Sequence, residues 1–82
     1  MTRVLVVTPD RALRSSLAYL LRMEPDLEVW DCSPREATGL VGSLDPDVIL
    51  AGIGWEAEGK VVIPLSGLAP YETLLGKVRA AG

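Results

Sequence analysis

Residues Arg3 to Val7 have the sequence R-V-L-V-V, in which valine and leucine follow Arg3 without interruption. Such a run is typical of a strand that is buried on both faces of a parallel sheet. A second run of this kind, V-I-L-A, occupies Val48 to Ala51. The two runs predict the central strands of a parallel sheet.

Two helical patterns lie between these runs. The first begins at Asp10, which suits a helix N-cap, and ends before Pro25. The second begins with S-P-R-E at Ser33 to Glu36, which supplies an N-cap, a first-turn proline and a capping-box glutamate. Apolar residues recur at helical spacing in both segments, at Leu13, Leu17, Leu20 and Leu21 and then at Ala37, Leu40, Val41 and Leu44.

The remaining segments predict two outer strands, a loop and a last helix. Leu27 to Asp31 alternates apolar and polar residues except at Trp30, which predicts a strand near an edge. Gly52 to Gly59 is a glycine-rich loop, and Lys60 to Leu65 is a strand that Pro64 restricts to the sheet edge. Pro70 opens the last helix. The order predicts one α/β domain over residues 1–82, with three layers, a mainly parallel four-stranded sheet and about three helices.

The connection to the last strand leaves the direction of that strand open. Nine residues separate Ala51 from Val61, whereas a parallel crossover usually takes a dozen or more. Fully extended, nine residues span about 30 Å, which is enough to return along one strand without a helix. We expect a parallel strand, and the alternatives are an antiparallel strand or one exchanged between subunits.

Charge and residue usage argue against several classes of function. The net charge is −3 and the eight Lys and Arg residues are scattered, so we expect neither a nucleic-acid site nor a membrane-binding surface. No apolar stretch approaches the roughly 20 residues of a membrane span, and no signal peptide precedes the first strand, so we expect a cytoplasmic protein. Cys32 is the only cysteine and histidine is absent, so we expect no disulfide, no zinc or copper site and no cofactor.

The chain is apolar for its length. Hydrophobic residues make up 49% of it, and the mean hydropathy is +0.29. A dense core explains this composition, and so does apolar surface that another copy or a partner covers. Both interpretations stay open at this point.

Three segments resemble the receiver domains of bacterial response regulators. They are the run that begins at Arg3, the stretch L-L-R-M-E-P-D-L-E-V from Leu20 to Val29, and P-D-V-I-L from Pro46 to Leu50. The resemblance extends to Ile53 and resumes with the last helix after Ala69. A helix, a strand and a further helix of the family are missing between these parts. The resemblance implies a shortened flavodoxin-like sheet with the strand order 2-1-3-4.

The resemblance also implies that the phosphorylation chemistry is lost. Receiver domains bind magnesium through an acidic pair after the first strand, and an aspartate after the third strand accepts the phosphoryl group. Here the acidic pair corresponds to Thr8 and Pro9, and the acceptor corresponds to Gly52. Ser66 follows the last strand and matches either of two further pocket positions, although a turn residue is the simpler interpretation. We therefore expect no enzymatic activity.

Two functional hypotheses follow from these positions. The first is a phosphorylation-independent pseudo-receiver that forms a homo-oligomer, most simply a dimer, and binds a protein partner in bacterial signalling or transcription control. Because the missing helices leave one sheet face poorly covered, Ile53 and Trp55 are its candidate interface residues, although Trp55 could instead fold back as a lid. The second is a small-ligand sensor or enzyme that uses a pocket near Thr8, Gly52 and Ser66. A gene product without a present function is the third alternative.

Overall fold

The fold is an α/β sandwich built on a parallel sheet. The computed structural model describes residues 1–52, 54–65 and 70–81. Its strands are β1 (Thr2–Val7), β2 (Leu27–Cys32), β3 (Val48–Gly52) and β4 (Val61–Leu65). Its helices are α1 (Arg11–Arg22), α2 (Pro34–Leu44) and α3 (Tyr71–Ala81). The strand order is β2-β1-β3-β4 with every pairing parallel, so the predicted fold class and strand order are confirmed.

The last strand is parallel to β3 of its own chain. Val48 lies opposite Val61, and Ala51 lies opposite Pro64. The connection returns without a helix, as its length requires, and it reverses through Gly54 and Gly59, whose φ angles of 90° and 76° suit glycine alone. Both edge assignments are also confirmed, because β2 and β4 are the outer strands.

The core is divided between the two faces of the sheet. One face packs against α1 and α3, and its buried residues include Val4, Val6, Leu17, Leu21, Leu50, Leu74 and Val78. The other face packs against α2, and its buried residues are Leu5, Val7, Cys32, Ala37, Ile49 and Ala51. Alternate residues of β1 and β3 serve opposite faces, which is why both strands require uninterrupted apolar sequences. Each fully buried Leu or Val contributes roughly 1.5–3 kcal/mol.

The expected bare face of the sheet is largely absent. Leu5, Ile49 and Ala51 are fully buried on the α2 face. The loop that follows β3 packs Trp55 and Ala57 against this face, beside the residues that α2 covers. The expectation of a poorly covered face is therefore wrong for β1 and β3, because the loop supplies the cover that α2 alone does not.

Both sheet edges are protected in the part of the chain that the structure describes. The N–H groups of Thr2, in β1, and of Thr8, directly after it, donate to the carbonyls of Asp26 and Cys32. The even-numbered carbonyls along β2 therefore face β1, and the Val29 carbonyl faces outward. The Arg22 guanidinium lies 3.4 Å from that outward Val29 oxygen. On the opposite edge, Pro64 of β4 has no N–H to donate. These features oppose the addition of a strand from another chain.

Helix α3 is fixed to the turn between α1 and β2. Arg79 donates to Glu24 at 2.7 Å and to both carboxylate oxygens of Asp26 at 3.3 Å. The hydrogen bond from Arg79 lowers the pKa of Asp26 below its ordinary value. Tyr71, at the other end of α3, donates its hydroxyl to the Leu20 carbonyl at 3.2 Å. The last helix is therefore held at both ends on the α1 side of the sheet.

Candidate functional site

The carboxyl edge of β1 and β3 brings the predicted site residues together. Val7 pairs with Ala51, so Thr8 and Gly52 follow directly on adjacent strands and Pro9 is next to them. This is the edge at which open parallel sheets usually bind ligands. Ser66 and Ile53 lie outside the described residues. The structure thus juxtaposes three of the four predicted pocket positions.

The polar groups of Thr8 form hydrogen bonds within the fold. It is only 4% exposed, and its hydroxyl oxygen accepts from the Asp10 N–H at 3.2 Å. Its carbonyl accepts from the Arg14 guanidinium at 3.0 Å, and its own N–H donates to the Cys32 carbonyl at 3.4 Å. All three polar groups of Thr8 therefore connect β1 to β2 and to α1.

Asp10 caps α1, as its position predicts. Its Oδ1 accepts from the Leu13 N–H at 3.1 Å, and its backbone is extended. This contact satisfies one of the free amides at the helix N-terminus. The nearest carboxylate to the acidic-pair positions therefore has a structural role.

Replacement of Asp10 tests this role. We expect Asp10→Ala to lower the free energy of unfolding by about 1 kcal/mol, because the cap is lost. Asp10→Asn is the matched control, since its side-chain oxygen still accepts from Leu13, and it should retain nearly all of the stability. Urea denaturation of both variants measures the difference. Equal losses in the two variants would assign the effect to charge instead of capping.

Gly52 ends β3 and leaves open space where a side chain would begin. A Cβ atom added at Gly52 meets no atom within 4 Å. Its carbonyl accepts from the Trp55 N–H at 3.2 Å, which starts the return loop. The predicted acceptor position therefore has no reactive side chain, although the space beside it would accommodate one.

A cluster of three charged side chains that the sequence did not reveal lies beside this edge. The Asp31 carboxylate is 2.9 Å from Arg22 and 3.6 Å from Arg14. Arg14 also holds the Thr8 carbonyl, so Asp31 is tied to the edge through one guanidinium. The sequence does show an acidic residue, Asp31, near the end of β2. Its arginine partners lie on α1, so the sequence did not indicate the ion pairs. Both arginines neutralise Asp31, so this carboxylate serves the scaffold.

Cys32 is a poor nucleophile in this setting. It is buried at the end of β2, and burial raises the pKa of its thiol, with the Glu36 carboxylate acting in the same direction. A thiol with a raised pKa is protonated near neutral pH. Cys32 therefore acts as a small apolar residue.

A cleft of about 450 Å³ lies beside the start of β4. It is lined by Glu56, Ala57, Glu58, Lys60 and Val62. Lys60 forms an ion pair with Asp45 at the end of α2, and this hydrogen bond lowers the pKa of Asp45. None of Thr8, Pro9 and Gly52 lines this cleft. The cleft therefore lies away from the carboxyl edge of β1 and β3.

Trp55 acts as a lid on the α2 face. Its side chain is partly buried and packs against the cluster that contains Leu5 and Ile49. The indole thus covers part of the sheet surface beside α2. This packing fits the predicted lid role, and the interface role of Trp55 stays a prediction.

Truncation of Trp55 measures the contribution of this lid. We expect Trp55→Ala to lower the free energy of unfolding by about 1–3 kcal/mol, less than a fully buried tryptophan, because the ring is only partly buried. Trp55→Phe, which keeps a ring on the sheet, should recover much of the loss. The measurement is chemical denaturation at two protein concentrations. A loss that appears only at the higher concentration would assign Trp55 to an interface between copies.

Two features are absent from the described ranges, a metal-binding cluster and a membrane-spanning helix. No group of three His, Cys, Asp or Glu side chains in residues 1–52, 54–65 and 70–81 is placed to hold a metal ion. Among these same residues, no helix has the length and apolar character needed to cross a membrane. No protein-family model matches the chain, and no curated protein matches it.

Proposed function

We propose that the chain is a phosphorylation-independent, receiver-like binding module that self-associates and binds a protein partner. The proposal includes a cytoplasmic location, a role in bacterial signalling or transcription control, and no enzymatic activity of its own. One observation carries it. The three juxtaposed positions at the carboxyl edge, Thr8, Pro9 and Gly52, have no ionisable side chain between them.

The contacts around this edge support a scaffold role. Phosphoryl transfer to a protein side chain needs a nucleophile and a metal to offset the charge on phosphate. Asp10, the nearest carboxylate in sequence, caps α1, and Asp31 is bound by two arginines. The carboxylates that remain near the edge are thus engaged in holding the fold together.

The protein's surface supports binding through a helix more than through the sheet. Both sheet edges are protected, and the α2 face is covered by Trp55 and Ala57. By contrast, four large apolar residues on or directly after α1 are exposed, namely Leu13, Tyr19, Leu20 and Met23. Exposed apolar residues that cluster on one surface commonly mark a binding site.

The test is the response of the purified protein to magnesium with acetyl phosphate, a small phosphodonor. We expect no change in the melting temperature and no gain of mass from phosphorylation. Light scattering over a range of concentrations follows self-association in the same samples, and the two readouts should be independent. Phosphorylation of any aspartate, or a magnesium-dependent rise in melting temperature, would contradict the proposal.

A further inference from the structure

Helix α3 connects one side of the molecule to the other through polar contacts near both of its ends. It follows β4, the outer strand at one edge of the sheet. Arg79, in its last turn, contacts Glu24 and Asp26, which precede β2 at the opposite edge. Tyr71, in its first turn, donates to the Leu20 carbonyl of α1. We call the contacts of Arg79 with Glu24 and Asp26 the clasp.

The clasp lies at the surface of the molecule. The side chains of Arg79 and Asp26 are about half exposed, and that of Glu24 is a quarter exposed. Ion pairs that are exposed to this extent stabilise a fold only weakly, and dissolved salt screens them. The clasp can therefore open at little cost, in contrast to the buried contacts of the core.

Gly76 weakens α3 without a packing reason. It lies in the middle of the helix and is exposed, and a Cβ atom added there meets no atom within 4 Å. Glycine in a helix interior is less favourable than alanine, because it loses more conformational freedom when the helix forms. The helix is therefore less stable than the available space allows.

The other two helices are held more firmly. Helix α1 buries three residues, whereas α3 buries two. Helix α2 contains similar glycines at Gly39 and Gly42, but hydrogen bonds between Ser33 and Glu36 close its start, and Arg3 donates to the carbonyl of its last residue. Both α1 and α2 also connect two strands of the sheet. Among the described helices, α3 therefore has the weakest attachment.

We propose that α3 is a releasable strap, which leaves the sheet as a unit when the clasp opens while the sheet, α1 and α2 stay folded. The inference concerns a motion of the fold and goes beyond the proposed function, on which it does not rest. Release withdraws Leu74 and Val78 from the core and uncovers Leu50 and Ile63. Because this exposes apolar surface, the released form is the minor one. Salt weakens the clasp, so ionic strength sets the released fraction.

Amide hydrogen exchange of the full chain, followed residue by residue by NMR, tests the release. Local opening exchanges the amides of one element without unfolding the others. The amides from Leu75 to Val78 should share one protection factor, at least tenfold below those of the central strands β1 and β3. Equal protection of α3 and the central strands would overturn the proposal.

Two variants should move this opening in opposite directions. Arg79→Gln removes the clasp and should lower the protection of α3 by about twofold to fivefold. Gly76→Ala should raise it by about fourfold to fivefold. Protection of β1 and β3 relative to their own global unfolding should not change in either variant. The matched control, Lys77→Gln, removes the same charge from an exposed site of the same helix and should exchange like the wild type.

The salt response separates the clasp from a general effect on helix stability. Raising sodium chloride from about 20 mM to about 500 mM should lower the protection of α3 in the wild type and in Lys77→Gln, but not in Arg79→Gln. A similar salt response in all three proteins would overturn the role of the clasp. An Arg79→Gln variant in which β1 and β3 lose as much protection as α3 would show that the helix does not open on its own, and would overturn the strap.

Discussion

Replacement of Leu50 by alanine is expected to lower the free energy of unfolding by about 2–5 kcal/mol. Leu50 is fully buried in β3, and it packs in the cluster that α1 and α3 share. The neighbouring strands β1 and β4 hydrogen-bond to β3 on both sides, so the backbone has little freedom to close the cavity. An 82-residue domain has a total stability of about 4–12 kcal/mol. The variant should therefore lose a large share of its stability and unfold at a lower urea concentration than the wild type.

Leu13→Ala is the matched control for this prediction. It removes the same atoms from α1 at a position that is 40% exposed, so it should cost well under half as much. Urea denaturation of the two variants and the wild type measures both changes. Similar losses at Leu50 and Leu13 would contradict the assignment of the core.

The fold was largely predictable because its main determinants are local. The apolar runs at Val4 to Val7 and Val48 to Ala51 are typical of strands with two covered faces. Asp10 and the capping-box Glu36 mark helix starts, and both make hydrogen bonds that such residues make at N-caps. Pro64 placed the last strand at an edge without any knowledge of its neighbours.

The cover on the α2 face was not predictable in the same way. Nothing in the spacing of Gly52 to Gly59 indicates where its side chains pack, since the segment has no helical or strand period. Trp55 and Ala57 reach the sheet only because the positive φ angles at Gly54 and Gly59 turn the loop back on itself. The cover on the α2 face therefore depends on tertiary contacts. It leaves less apolar sheet surface for self-association through that face, so the exposed apolar residues of α1 become the better candidate surface.

The candidate site was partly predictable. A parallel register places the residues that follow β1 and β3 side by side, so the proximity of Thr8 and Gly52 follows from the strand order alone. Arg14 of α1 contacts the Thr8 carbonyl after β1 and the Asp31 carboxylate of β2, so its contacts join three elements. The spacing of residues within a single element does not reveal such contacts. The sequence therefore predicted which sheet edge carries the candidate site. The structure showed which hydrogen bonds and ion pairs the polar groups at that edge form.

A variant with three carboxylates at this edge is expected to bind magnesium. Thr8→Asp, Pro9→Asp and Gly52→Asp together would place three carboxylates on two adjacent strand ends, a hard oxygen donor set that suits Mg²⁺. The open space at Gly52 accommodates a side chain, and Pro9 is exposed. An aspartate at residue 8 still offers an acceptor to the Asp10 N–H, which now bonds to the Thr8 hydroxyl.

The readout is thermal unfolding with and without magnesium. Without the metal, three clustered negative charges should make the triple variant less stable than the wild type. If the dissociation constant is about 1 mM, 10 mM Mg²⁺ stabilises the bound form by about 1.4 kcal/mol, which corresponds to roughly 6–11 °C in the melting temperature. The wild type should show no comparable change. The matched control replaces the same three residues by asparagine, which keeps size and removes charge, and it too should not respond. A triple variant that folds but ignores magnesium would mean that this edge does not have the geometry of a receiver pocket, and the resemblance on which the proposed function rests would lose its strongest support.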